Sequence, residues 1–193
     1  MKILVSGFEP FNQESINPSL EIIRALPTEI AGAQLITIEL PTVYYESLNI
    51  IEKVIHQEQP DVILSLGVAA LRDKISIERV AINLNDARIM DNANQQPCDE
   101  LIKLDGDTAY FTNLPIRKIQ AELLVNDIPT EISLSAGAFV CNHVFYGVRY
   151  LLHNSYKDKQ SGFIHVPPIS DTWPLVKLVR GIEVVIEAIA MKQ

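Results

Sequence analysis

The chain has 193 residues, a length that fits a single domain spanning 1–193. Sixteen Lys and Arg against 24 Asp and Glu give a net charge of −8, which excludes a general nucleic-acid binder because neutralising phosphates needs a basic face. A chain 48% hydrophobic and 21% charged is globular rather than disordered, and it has no run of about 18 apolar residues to act as a membrane span.

Strand and helix signals alternate along the chain. Residues 2–6 form a short apolar run that reads as a first strand; it is too short for the core of an export signal and has no cleavage site. Asn17-Pro18 supplies an N-cap followed by proline at the first helical position, opening a helix that Pro27 closes after Leu26. Residues 34–40 and 61–66 read as strands. Between them Leu48, Ile51, Val54 and Ile55 share one face of a helix that starts near Tyr45 and ends near Gln59-Pro60. Residues 75–84 alternate as one strand, and on that reading Glu78 shares a face with Val80, Ile82 and Leu84. Residues 88–106 lack periodicity, and a loop of that length is functional or mobile.

Pro115 opens a helix to about Val125, and 131–135 reads as a strand. A helical period through Val140, Val144, Val148 and Leu152 leads to a strand at 162–166. Trp173-Pro174 then introduces a last helix through about Met191. Such alternation predicts an α/β/α sandwich: helices on both faces of a mostly parallel or mixed sheet.

Several chemistries are absent. There is no G-x-G-x-x-G, Walker-type loop, H-E-x-x-H, C-x-x-C or G-x-S-x-G. Cys98 and Cys141 make no disulfide framework, and without an export signal they are expected to stay reduced in the cytoplasm. Cys141 falls at a strand–turn–helix junction, where a helix N-terminus favours the thiolate, although a small buried hydrophobe is the plainer reading. His143 is two residues away and on a helix cannot face the thiol. His165 ends a short apolar strand, the position where α/β folds gather functional groups; a packed core histidine is its alternative. Glu78, a carboxylate on an apolar face, needs a partner, and an imidazole N–H would serve; an edge-strand Glu reaching solvent is the other reading. A zinc site from Cys98, Cys141, His143 and His165 lacks any ligand pair at the expected spacing.

The motifs resemble those of the pyroglutamyl peptidase type I family, also called pyrrolidone-carboxylate peptidases. The likeness rests on several blocks in order: Ser6-Gly7-Phe8-Glu9-Pro10-Phe11, Asn17-Pro18-Ser19, Leu40-Pro41-Thr42-Val43-Tyr44 and Glu78-Arg79-Val80-Ala81-Ile82-Asn83 with Asp86-Ala87-Arg88. Ala109-Tyr110-Phe111-Thr112-Asn113-Leu114-Pro115, Gly137-Ala138-Phe139-Val140-Cys141-Asn142-His143 and Phe163-Ile164-His165-Val166-Pro167 complete it. The resemblance implies a cysteine peptidase that removes N-terminal pyroglutamate from peptides, with Cys141, His165 and Glu78 as its catalytic residues. It further implies Arg88 beside the scissile carbonyl and Phe8, Phe11 and Phe139 as pocket walls, no metal or organic cofactor, and a homotetramer. The stretch Gly67-Val68-Ala69-Ala70-Leu71-Arg72 lacks the Gln and Gly pair common in bacterial members. Met90 and Ala138 replace the usual Pro and Thr, and the likeness is weak after Pro168. A nucleoside- or phosphate-binding enzyme on the same fold and a silent pyroglutamyl-peptide-binding protein stand as the alternatives.

Overall fold

A computed structural model of the chain describes residues 1–191. Its centre is a seven-stranded mixed sheet. In chain order the elements are β1 (Lys2–Phe8), α1 (Pro18–Ala25), β2 (Glu29–Ile30), β3 (Ala33–Leu40), α2 (Glu46–Glu58), β4 (Val62–Val68) and β5 (Ile75–Glu78). There follow β6 (Val80–Ile82), β7 (Ala109–Phe111), α3 (Ile116–Val125), β8 (Thr130–Ser133), α4 (Val140–Ser155), β9 (Gln160–Val166) and α5 (Leu175–Ala190). The large sheet runs β2-β3-β1-β4-β9-β5-β8, with β3, β1, β4 and β9 mutually parallel and β5 and β8 running the other way.

Period-two alternation divides each central strand between two apolar layers. Ile3 and Val5 of β1, Leu64 and Leu66 of β4, Ile75 and Ile77 of β5 and Ile164 and Val166 of β9 face α1, α3 and α5. Leu4 and Phe8, Ile63 and Phe163 face α2 and α4, where Leu48, Ile51, Val144 and Val148 meet them. The predicted caps hold at α1: Asn17 Oδ1 accepts from the Ser19 amide at 3.1 Å, with Pro18 at the first helical position.

One predicted element is corrected. The strand expected over 75–84 breaks at Arg79, whose amide donates to the Ser133 carbonyl at 2.9 Å while its own carbonyl accepts from the Thr112 amide at 3.0 Å. The chain thus leaves β8 at Arg79 and pairs β6 with β7 in a separate two-stranded sheet. Glu78 shares its face with Ser76, on the β5 side opposite Ile75 and Ile77, and not with Val80 and Ile82.

The aperiodic stretch 88–106 is pinned down. Asp91 accepts from the amides of Tyr44, Ala93 and Gln95 at 2.8–2.9 Å, and Asn83 Oδ1 accepts from those of Ile102 and Lys103.

Candidate active site

The alternation that builds the core also assembles the polar cluster. Gly67 of β4 is the register partner of His165 on β9, and Glu78 of antiparallel β5 lies opposite Phe163, one pleat along from His165. Paired residues share a face, so Gly67, His165, Phe163 and Glu78 all look toward α4. Glu78 is fully buried and His165 is 5% exposed.

The His165 Nδ1–Glu78 Oε1 distance is 2.7 Å, and the same oxygen accepts from Arg72 Nη1 at 2.6 Å. Burial raises the Glu78 carboxyl, but the hydrogen bond and charge of His165, with the charge of Arg72, hold it net below the usual carboxylate range. An ionised carboxylate can only accept, so Nδ1 carries the ring proton and Nε2 is left as the basic nitrogen. The imidazole partner expected for Glu78 is therefore present. In the sequence Arg72 is only the end of the divergent stretch that starts at Gly67. Ala69 and Arg72 close a turn there, and Arg72 Nη2 donates to the Ser135 carbonyl at 2.8 Å, which aims the guanidinium back at β5.

Cys141 is the second residue of α4, half-buried, after a turn in which Gly137 takes φ +78, a conformation that suits glycine. A Cβ added at Gly67 would stand 2.9 Å from Cys141 Sγ and 2.9 Å from the Phe163 ring. The sulfur thus occupies the space that a side chain would fill at Gly67, the register partner of His165. Neither Gly67 nor this packing role was apparent from sequence.

At Cys141 the pull of the helix end toward the thiolate is opposed by burial. Burial and the negative Glu78 push the Cys141 thiol up to about 12, outweighing the Cys141 amide and the Arg72 charge that pull it down. Desolvation of a full charge exceeds the partial charge of the helix end.

The other expected residues divide. Phe11 and Phe139 are partly exposed and pack at 5.9 Å between ring centroids, with Tyr44 edge-on to Phe139 at 5.6 Å. Phe8 lies in the core at 2% exposure, 6.3 Å from the Phe163 ring, so it backs the cluster instead of walling an open pocket. Arg88 is exposed; its loop is tied to the turn before Cys141, where the Asp86 amide donates to the Ala138 carbonyl at 3.0 Å. His143 is a core residue, accepting from the Tyr45 amide at Nε2 and facing Asn85 Oδ1 at 3.0 Å through Nδ1. Burial, helped by the Lys103 charge, pulls His143 down to about 4. Cys98 is exposed, and among the described residues no three His, Cys, Asp or Glu side chains group as metal ligands.

A thiol on a helix N-terminus beside an imidazole whose tautomer a buried carboxylate fixes is the side-chain set of a cysteine-nucleophile hydrolase on an α/β scaffold. The pyroglutamyl peptidase family model matches residues 1–191, well past Pro168, where the motif likeness faded. A pyrrolidone-carboxylate peptidase of Fusobacterium nucleatum is 51% identical over 97% of this chain and 92% of the relative, and one of Thermosipho melanesiensis is 54% identical over 86% and 83%. The crystal structure of pyroglutamyl peptidase I from Bacillus amyloliquefaciens superposes with a TM-score of 0.94 at 38% identity, covering 99% of this chain and 95% of that one. The chain belongs to the pyroglutamyl peptidase family.

Proposed function

We infer that the protein is a cysteine exopeptidase that removes N-terminal pyroglutamate from peptides, with Cys141 as nucleophile, His165 as general base and acid, and Glu78 as the orienting carboxylate. The observation that carries this reading is the 2.7 Å Glu78–His165 contact beside a sulfur seated over Gly67.

Burial holds the Cys141 pKa above the usual thiol range, so proton loss is coupled to attack. His165 Nε2 takes the thiol proton as Sγ adds to the pyroglutamyl carbonyl. The oxyanion is stabilised by the free amides of the first turn of α4, with Arg88 as a further cation. Collapse expels the peptide amine, which leaves with the proton from His165. Water then attacks the thioester, giving its proton back to His165, and pyroglutamate is released. Arg72 acts as a positioning residue that keeps Glu78 ionised against the cost of its burial.

Pyroglutamate is a compact neutral lactam with no free α-amine, so it suits aromatic walls better than a pocket of amine-binding carboxylates. Phe11 and Phe139 are the proposed walls, with Phe8 behind them. The chain is further proposed to work in the cytoplasm as a homotetramer, an assembly carried by the family resemblance; light scattering that finds monomer alone at working concentration would remove it. Among the described residues no helix is long and apolar enough to cross a membrane.

Hydrolysis of a pyroglutamyl-arylamide, before and after iodoacetamide, tests the activity and the thiol together. Turnover is expected to vanish with alkylation of Cys141. Activity that survives full alkylation would remove the thiol mechanism, and tight binding without turnover would favour the silent binding protein.

A further inference from the structure

Away from Cys141, the second half of α4 and the start of β9 border a depression of about 260 Å³ lined by Asn113, Arg149, Leu152, His153, Lys157 and Lys159. Arg149 lies about 12 Å along α4 from Cys141, and Lys159 about 20 Å along the strand direction from His165. The depression therefore lies at the opposite end of β9 from the catalytic cluster.

Its lining contains no carboxylate, in a chain whose net charge is −8. Two of its cations are more than nine-tenths buried: Arg149 at 9% exposure and Lys159 at 8%. Neither has an ion-pair partner among the described residues. Arg149 Nη1 donates to Asn113 Oδ1 at 2.9 Å and to Ser161 Oγ at 3.3 Å, while its buried Nε has no acceptor. The Lys159 ammonium donates to the Pro60 carbonyl at 2.8 Å. Neutral acceptors, and the Tyr156 ring 5.5 Å from the Lys159 ammonium, offset only part of the cost of burying a guanidinium and an ammonium, and a bound negative charge offsets more. The exposed Lys157 and His153 stand at the rim, where they add donors without blocking entry.

We propose that this depression is a binding site for a small phosphate-type oxyanion, inorganic phosphate or a phosphate monoester, separate from the peptidase centre. With Nη1 of Arg149 held by Asn113 and Ser161, Nη2 is the guanidinium nitrogen left to donate to such an anion, and the lysines add positive charge around it.

Calorimetric titration and thermal unfolding with inorganic phosphate, at ionic strength held constant with chloride, test the site on the intact chain. Phosphate is expected to bind saturably and raise the unfolding midpoint, since a ligand of the folded state stabilises it. Lys157→Glu, an exposed change that leaves the fold untouched, should weaken binding at least about tenfold, because it sets a like charge against the anion. Arg149→Met keeps the buried stem and should abolish binding; if that variant does not fold, Lys157→Glu decides alone. Pyroglutamyl-arylamide turnover should be unchanged in Lys157→Glu. A phosphate response no larger than that to chloride, or equal phosphate affinity in wild type and Lys157→Glu, overturns the proposal. So does a Lys157→Glu variant whose assembly mass shifts while phosphate binds neither form, because a carboxylate from a second copy would then be the occupant.

Discussion

Replacing Glu78 with Gln separates two effects of the carboxylate that act in opposite directions on the thiol and on turnover. Oε1 accepts from His165 at 2.7 Å and from Arg72 at 2.6 Å, and both contacts gain from its charge. A hydrogen bond to a charged group contributes about 1.5–3 kcal/mol and a neutral one roughly 0.5–1.5, so the amide removes on the order of 1–2 kcal/mol from the developing imidazolium. That alone is about tenfold in rate. The amide can also offer an N–H to Nδ1, which moves the ring proton to Nε2 and blocks proton abstraction; in the serine-protease template such a change reaches about 10⁴. The expected loss in kcat is at least about 10²-fold, with little change in KM. Thiol reactivity should move differently. Glu78 raises the Cys141 pKa and Arg72 lowers it, so losing the carboxylate charge should bring the alkylation midpoint to lower pH. Iodoacetamide kinetics against pH, beside arylamide turnover of the same folded preparation, read both effects. Near wild-type turnover, or an alkylation midpoint displaced upward, would refute the assignment.

Arg72→Met should raise the Glu78 pKa, moving the acid limb of the kcat/KM profile to higher pH and lowering kcat about tenfold while KM holds; a purely structural Arg72 would leave the limb in place. Gly67→Ala places a methyl 2.9 Å from Cys141 Sγ and from the Phe163 ring, and should cost about 1–3 kcal/mol in urea unfolding and most of the turnover. His143 gives a pH signature of its own. The folded ring resists protonation down to about 4 while the unfolded ring takes its proton near 6.5, so stability falls as pH drops from 6.5 toward 4, by roughly 3 kcal/mol. In His143→Gln that acid limb of urea-derived stability should flatten; an unchanged limb would place the titration elsewhere.

The long periodic elements were legible because each carries its own punctuation. Asn17-Pro18, Pro60 and Trp173-Pro174 mark boundaries that local sterics enforce, and the apolar runs of β1, β4 and β9 reflect burial on both faces. The break at Arg79 was not legible, since 75–84 alternates throughout and only the remote acceptor on β8 and donor at Thr112 divide it. β2 and β7, of 2 and 3 residues, are too short to carry a period. Within the site, Cys141, His165 and Glu78 could be reached from junction, strand end and misplaced charge. Arg72 and Gly67 could not, because one depends on a turn that reverses its direction and the other on what a neighbouring helix puts into an empty position.

The order of strands has a consequence for how the protein is made. β9 is the last strand to leave the ribosome, yet it lies between β4 and β5 in the sheet, and it brings the His165 that joins Glu78 across 87 residues of chain. Until residues 160–166 are inserted, β5 and β8 pair with no strand of the parallel half, and Cys141 and Glu78 lack the imidazole of His165. On the proposed roles of these residues, the chain gains hydrolytic competence only when the sheet closes around its final strand. A pairing of such sequence separation is slow to form, so appearance of arylamide turnover during refolding should lag behind the recovery of helical signal.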